Sequence, residues 1–146
     1  MGFFTDFAEN KIADALFRAQ ALGAPATWYY GLDTVAGTDA GGGTEVVGGS
    51  YARVAVVASL ATFSGTQAPG STVASSGTDG TLENNSAVTF PAPTAAWGVV
   101  VGTRVWDAPT GGNAWGYTVL TANKTINNGD AAPSFPASAF SIQVDN

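Results

Sequence analysis

The sequence predicts a mainly β protein, a single β-sandwich of jelly-roll type preceded by one N-terminal amphipathic helix. Before Pro25, apolar residues recur at three- and four-residue steps, which is the period of a helix. After Pro25, short segments rich in Val, Thr and aromatic residues alternate with Gly, Pro and Asn turns, which is typical of antiparallel strands. The chain has 146 residues, of which 45% are hydrophobic, and this is the length and apolar content of one domain. We expect residues 1–24 to form a helical tether and residues 25–146 to form the sandwich.

The predicted helix carries its apolar side chains on one stripe. The stripe consists of Phe4, Ala8, Ile12, Ala15, Leu16 and Ala19. Thr5 can cap the first turn, and Gly23 with the proline two residues later provides a stop signal, so about 17 residues would make an element ~25 Å long. We expect the larger members, Phe4, Ile12 and Leu16, to anchor the chain on a partner. The alternative is that this stripe caps an open end of the sandwich.

Six segments are predicted to be strands. They are residues 26–33, 51–63, 87–90, 97–107, 114–121 and 139–144. The fourth and fifth segments are joined by DAPTGGN, whose proline and paired glycines are typical of a turn, so we expect an antiparallel hairpin. The fourth segment carries bulky residues on both faces, which predicts a strand covered on both sides or lying in a subunit interface.

Two stretches without apolar periodicity, residues 34–50 and 64–85, are predicted to be long loops. Loops of this length are uncommon in a compact domain unless they carry function, so we expect them to contribute to a contact surface. Trp28, Trp106 and Trp115 lie in predicted strands and are candidate interface residues. A sugar-stacking platform is the alternative use of these aromatic side chains.

The composition excludes several classes of function. Five Lys and Arg against eleven Asp and Glu give a net charge of −6, so nucleic acid is not an expected partner. The apolar runs are far shorter than the ~20 residues that cross a membrane, so a membrane is not expected either. The sequence contains no Cys and no His, which removes thiol nucleophiles, His-based triads and the common zinc sites. We predict a protein that is not an enzyme and uses no cofactor.

Acidic residues and a glycine run are the remaining candidates for chemistry. The isolated acids are Asp33, Asp39, Glu45, Asp79, Glu83, Asp107 and Asp130. They form no calcium-loop pattern and are interpreted as solvated loop residues, with a converging glycosidase pair as the alternative. Residues 41–43, three consecutive glycines, lack the lysine of a phosphate-binding loop and are interpreted as a flexible turn. No catalytic, cofactor-binding or metal-binding residue is predicted.

Five motifs follow one another along the chain. They are FFTDFAENKIADALFRAQ, PATWYYGL, DAGGGTEVVGGSYARVAV, NNSAVTFPAPTAAWGVVVGTRVWDAPTGGN and TANKTINNGDAAPSFPASAFSIQV. Their order resembles a family of small tailed-bacteriophage virion proteins, labelled phage tail fibre or head-decoration proteins. The resemblance covers nearly the whole chain, and the departure is residues 64–82, which form a longer and more Ser-, Thr- and Gly-rich stretch than we expect for the family. It implies a structural part of the virion without catalysis.

Two virion roles remain open. A capsid decoration (cement) protein would bind the major capsid protein or other virion proteins through its helix and glycine-rich loops, and would form a homotrimer. A tail-fibre or receptor-binding component would present its aromatic and Ser/Thr loops to host glycans. The absence of heptads or fibrous repeats in a short chain favours decoration. A stand-alone carbohydrate-binding β-sandwich is a third hypothesis, and we expect a trimer on the virion surface.

Overall fold

The computed structural model describes residues 3–144, which form a mainly β fold with one α-helix. Helix α1 spans Asp6–Phe17. The strands are β1 (Thr27–Val35), β2 (Thr44–Glu45), β3 (Val54–Val57), β4 (Thr81–Glu83), β5 (Val88–Thr89), β6 (Gly98–Trp106), β7 (Ala114–Ile126), β8 (Ser134–Phe135) and β9 (Ser141–Gln143). All of these strands pair antiparallel. The predicted mainly β class with an N-terminal helix is confirmed.

The largest sheet is built around β1. Strand β1 pairs with β6 along one edge and with β2 and β3 along the other, and β7 pairs with the far edge of β6. Strands β4 and β9 form one two-stranded ribbon, and β5 and β8 form a second. The jelly-roll-like sandwich is not confirmed, because the described strands form one five-stranded sheet and two short ribbons instead of two comparable facing sheets.

The core lies where the ribbons cover one face of this sheet. Its buried apolar residues are Tyr30, Leu32, Val46, Val88, Phe90, Trp97, Val100, Val105, Ile126 and Phe140. Ring contacts join the layers, because Phe140 lies 4.5 Å from both Tyr30 of β1 and Phe135 of β8 between ring centroids. Each buried side chain of this size contributes roughly 1.5–3 kcal/mol.

The predicted hairpin of β6 and β7 is confirmed, and Asp107 closes its turn. The backbone N–H and the side-chain amide of Asn113 donate to the Asp107 carboxylate, and so does the Trp115 indole. Partial burial raises the pKa of Asp107, but these hydrogen bonds outweigh it and hold the pKa below its ordinary value. In the second half of β6, Thr103, Arg104 and the following valine are all buried, so this half is covered on both faces, whereas Gly98 and Val99 at its start are exposed.

Both segments predicted to be loops contain a strand. Strand β2 lies within residues 34–50 and β4 within residues 64–85; each is two or three residues long, too short for a periodic signal, and each pairs with a strand elsewhere in the chain. The predicted strand 51–63 is reduced to Val54–Val57, whereas β7 continues five residues past its predicted end to Ile126. In these cases backbone pairing with another strand, and not local composition, decides the boundaries.

Helix α1 begins as predicted and ends earlier. The Thr5 hydroxyl accepts a hydrogen bond from the Ala8 N–H, as expected of the cap. The helix has 12 residues and ends before Gly23, the predicted stop. It ends there because Ala19 adopts a left-handed φ of 55° and the Gln20 N–H donates to the Asp14 carbonyl. No helix in residues 3–144 has the length and apolar character to cross a membrane.

Phe4 lies outside the helix, so its predicted place on the helical stripe is wrong. Residues 3–5 are extended along the edge of β7, where Phe4 forms a bridge with Gly116. The Thr5 N–H and hydroxyl donate to the carbonyls of Trp115 and Ala114. These bonds fix the start of α1 on the sheet, while the division of the chain at residue 24 stays a prediction.

Candidate functional site

An open apolar groove lies where the N-terminal segment meets the sheet. Its volume is about 270 Å³. It is lined by Phe3, Phe4, Trp28, Tyr30, Phe63, Leu82, Val105, Trp115, Ile142 and Val144. Six of these ten side chains are aromatic, and their only polar groups are one tyrosine hydroxyl and two tryptophan indole N–H groups. We call this feature the aromatic groove; a concave, apolar and pre-formed surface of this kind is suited to binding an apolar ligand or chain segment.

The wall of the aromatic groove is held by edge-to-face ring contacts around Trp115. Trp28 and Phe7 each place a ring centroid 5.4 Å from it. The N-terminal segment reaches this wall because the residue between Trp115 and Tyr117 is a glycine. A Cβ at Gly116 would lie 2.8 Å from the carbonyl oxygen and ring of Phe3, so only glycine permits this close approach.

Tyr30 places a polar group among the apolar side chains of the groove. Tyr30 is 1% exposed, and its hydroxyl has no hydrogen-bond partner within residues 3–144. Burial raises the pKa of this hydroxyl, so it stays protonated and can donate. A buried hydroxyl without a partner costs roughly 1–3 kcal/mol, which a bound acceptor would recover.

A second exposed apolar feature is the C-terminal end of α1. Leu16 is 70% exposed and Phe17 is 86% exposed. The chain stays exposed from residue 16 to residue 24, and Leu22 in this stretch is 38% exposed. We call residues 16–22 the helix tip.

The structure brings together three of the six predicted site residues. Phe4, Trp28 and Trp115 all line the aromatic groove. Ile12 is half-buried on α1 and Leu16 lies on the helix tip, so the two do not join that group. Their predicted roles in anchoring and in an interface stay predictions.

Trp106, the sixth predicted site residue, lies between two arginines. The guanidinium carbons of Arg53 and Arg104 lie 3.8 Å and 4.5 Å from the centroid of its ring. Each arginine also forms a bidentate pair with hydrogen bonds of 2.7–2.8 Å, Arg53 with Glu45 and Arg104 with Asp33. Cation–π contact and ion pairing therefore act on the same two guanidinium groups.

The interpretation of Asp33 and Glu45 as solvated loop acids is wrong, because both belong to strands and are ion-paired. Burial raises the pKa of Asp33, although its bonds to Arg104 oppose this. Burial also raises the pKa of Glu45, but hydrogen bonds from Arg53 and Tyr51 outweigh it, so the pKa lies below its ordinary value. The sequence did hold a signal: an acid and an arginine interrupt two apolar strands that were both predicted.

Arg53 and Arg104 also donate hydrogen bonds to the backbone of two turns. Arg104 donates to the carbonyls of Gly41 and Gly42, so the glycine run predicted to be a flexible turn is held by a buried side chain. Arg53 donates to the carbonyls of Ala108 and Gly111 in the hairpin turn at 2.7 Å and 2.8 Å. The network therefore positions loops, with its charges already paired.

One group of acids in the described part of the chain lies close enough to suggest metal ligands. Asp6, Glu9 and Asp39 bring carboxylate oxygens within 4.8 Å of one another, and all three are exposed. Asp6 and Glu9 are in the first turn of α1, where the positive end of the helix dipole favours negative charge. The helix dipole therefore accounts for Asp6 and Glu9, and Asp39 lies beside them because its carbonyl accepts the Asp6 N–H.

Comparison with known protein families decides what kind of protein this is. The model of one family, described as podophage GP4 fiber I protein gp80, matches residues 3–143. The chain belongs to this family. The resemblance to tailed-phage virion proteins is thereby confirmed, and the fiber I protein family places this chain among the structural components of a phage virion. No curated protein matches the chain significantly.

Proposed function

We propose that the chain is a non-catalytic component of the tail fibre of a tailed phage. The family match carries this proposal, because it spans residues 3–143 and its description names a fibre protein. Of the two virion roles that the sequence left open, the family favours the fibre over capsid decoration.

The state of the acidic residues supports a structural role. Asp33 and Glu45 each accept two hydrogen bonds from an arginine, and Asp107 accepts three from the hairpin turn. A general acid or base needs a proton-transfer partner within reach and a pKa near the working pH. Carboxylates occupied in this way fix strands and turns.

The loop between β3 and β4 supports a contact with host-surface glycans. The amide of Gln67 donates to Ser71 and to the Ala74 carbonyl, and its oxygen accepts the Ser76 N–H. The loop is thus a self-supporting polar surface with exposed hydroxyl groups, the kind of compact surface loop that often carries function. In this proposal it provides the receptor-facing surface of the fibre.

The proposal is tested by locating the protein on purified virions. Gold-labelled antibodies against the chain should mark the tail, and quantitative mass spectrometry should give a copy number that is a small multiple of the rotational symmetry of the tail. Labelling spread over the capsid, with a copy number approaching that of the major capsid protein, would contradict the fibre role and support decoration.

A glycan role has its own test. Replacing Gln67 with Ala should loosen the loop and reduce adsorption of the phage to host cells, while particles carrying the variant still assemble. The matched control is Thr89→Ala, which removes an exposed hydroxyl on β5, outside this loop. Normal adsorption by the Gln67→Ala particles would refute the role of this loop.

A further inference from the structure

We propose that the helix tip of one copy of this chain occupies the aromatic groove of a second copy, so that copies associate head to tail. The inference concerns the contact between copies, and it holds wherever in the virion the protein lies.

The two surfaces match in apolar character. The groove is lined by apolar side chains that leave an open volume of about 270 Å³, and the helix tip presents Leu16 and Phe17 with 70% and 86% of their surfaces exposed. Aromatic side chains bury 150–250 Å² each and dominate the energetics of interfaces. An exposed phenylalanine next to an exposed leucine is the type of anchor that such a groove accepts.

The two surfaces also match in hydrogen bonding. The last carbonyls of a helix have no intrahelical donor, and in α1 both the Arg18 and the Gln20 N–H groups turn to Asp14. The carbonyls of residues 15–17 are therefore left as acceptors within the described part of the chain. The groove offers the complementary group, because the Tyr30 hydroxyl is buried, protonated and without a partner in residues 3–144.

Charge is compatible with this contact. The residues that line the groove are uncharged, so no acid opposes the carbonyl end of a helix, which carries partial negative charge. Arg18, next to the tip anchors, is paired with Asp14 of its own helix at 2.8 Å. The tip therefore presents a neutral ion pair beside its apolar side chains, and no unpaired charge has to enter the uncharged groove.

A helix tip cannot fill the groove of its own copy. Phe3 and Phe4 line the groove, and α1 starts two residues later at Asp6. Twelve helical residues rise about 18 Å, so Phe17 lies at the far end of a helix that starts beside its own groove. The occupant is therefore a different copy, and a head-to-tail contact of this type closes into a ring or continues as a filament.

The first experiment is sedimentation equilibrium of the full chain and of variants at exposed positions. Phe17→Asp and Val144→Glu, which change the tip and the rim of the groove, should each weaken association at least tenfold with unchanged thermal unfolding. Val47→Asp is the matched control, because Val47 is 83% exposed and lies outside both surfaces. A wild-type chain that is monomeric at every concentration, or a Phe17→Asp variant that associates like wild type, would overturn the proposal.

Mixing distinguishes a head-to-tail contact from a symmetric one. The Phe17→Asp variant keeps its groove and the Val144→Glu variant keeps its tip, so an equimolar mixture should form a heterodimer more tightly than either variant associates with itself. The chain has no cysteine, so Arg18→Cys, which keeps the Phe17 anchor, mixed with Val144→Cys should give a disulfide-linked dimer of the two. Cross-linking of Arg18→Cys to itself but not to Val144→Cys would refute the arrangement.

Removing the Tyr30 hydroxyl gives an independent test, because it should not destabilise the monomer but should weaken the association of copies. Tyr30→Phe removes an unsatisfied buried hydroxyl from the monomer. Added to the monomeric Phe17→Asp variant, it should therefore not lower the free energy of unfolding. In the otherwise wild-type chain it removes one hydrogen bond from the interface and should weaken association by up to about tenfold. Unchanged association would show that the hydroxyl does not meet the helix tip and would overturn that part of the proposal.

Discussion

Removing the Asp33 carboxylate is expected to destabilise the fold far more than removing an ion-paired carboxylate from the surface. Asp33 is 0% exposed and accepts two hydrogen bonds of 2.7 Å from Arg104, whose side chain is 6% exposed. In Asp33→Ala the guanidinium group stays buried without its counter-charge. Breaking a buried pair in this way costs about 3–5 kcal/mol.

This cost is large for a single domain, whose total stability is typically about 5–15 kcal/mol. For a chain of this size, each kcal/mol shifts Tm by about 2–4 °C, so Asp33→Ala should lower Tm by about 6–20 °C. The replacement also releases Arg104 from its fixed position, which removes support from the carbonyls of Gly41 and Gly42. The glycine-rich turn should therefore become more accessible to proteases as the domain loses stability.

The assay is urea unfolding followed by tryptophan fluorescence, at one fixed protein concentration. Asp14→Ala is the matched control, because Asp14 pairs with Arg18 at 2.8 Å but the two side chains are 37% and 74% exposed; such a pair contributes about 0.3–0.5 kcal/mol. The double variant Asp33→Leu/Arg104→Met should recover much of the loss, since it removes both charges. If the free energy of unfolding of Asp33→Ala lies within about 1 kcal/mol of the wild-type value, the reasoning is refuted.

Three further predictions concern the fold. Because the pKa of Glu45 lies below its ordinary value of 4.5, its contribution to the free energy of unfolding is present above that pH and is lost as the pH falls through the folded-state pKa. The free energy of unfolding, measured from neutral to acid pH, should therefore fall less steeply for Glu45→Gln than for wild type. Equal slopes would contradict this. Asn84→Ala removes the side-chain partner of the Phe140 N–H and of the Pro136 carbonyl. It should lower the free energy of unfolding in urea by about 1–3 kcal/mol for each group left unpaired. A smaller loss would show that water replaces the amide. Gly116→Ala should detach residues 3–5 from β7, seen as faster hydrogen exchange at the Tyr117 amide, and unchanged exchange would refute the steric argument.

Local signals in the sequence were sufficient for the elements that local interactions determine. The Thr5 cap and the turn closed by Asp107 and Asn113 involve residues a few positions apart, so composition and spacing predicted both. The end of α1 was missed because a non-glycine residue, Ala19, adopts the left-handed conformation that glycine usually provides. A sequence pattern does not show that exception.

The candidate site could be predicted only in part, because it is assembled from distant segments. Trp28 and Trp115 were recognised as candidates from their strands, but nothing in the sequence indicated that Phe63 and Ile142 would lie beside them. The Asp33–Arg104 pair was missed because isolated acids are usually solvated. Only the register of β1 against β6 brings these two charges onto one face.

The bonds between Thr5 and the start of β7 set the order of events during synthesis. The Thr5 hydroxyl meets the Ala114 carbonyl across 109 positions of sequence, and closing so long a loop is entropically costly and slow. Residues 3–5 therefore cannot take their place on the sheet until the start of β7 has been synthesised and paired. The aromatic groove needs Phe3 and Trp115 together, so it forms only after that long loop has closed. The groove is thus a property of the folded sheet, and any contact made through it follows folding of the chain.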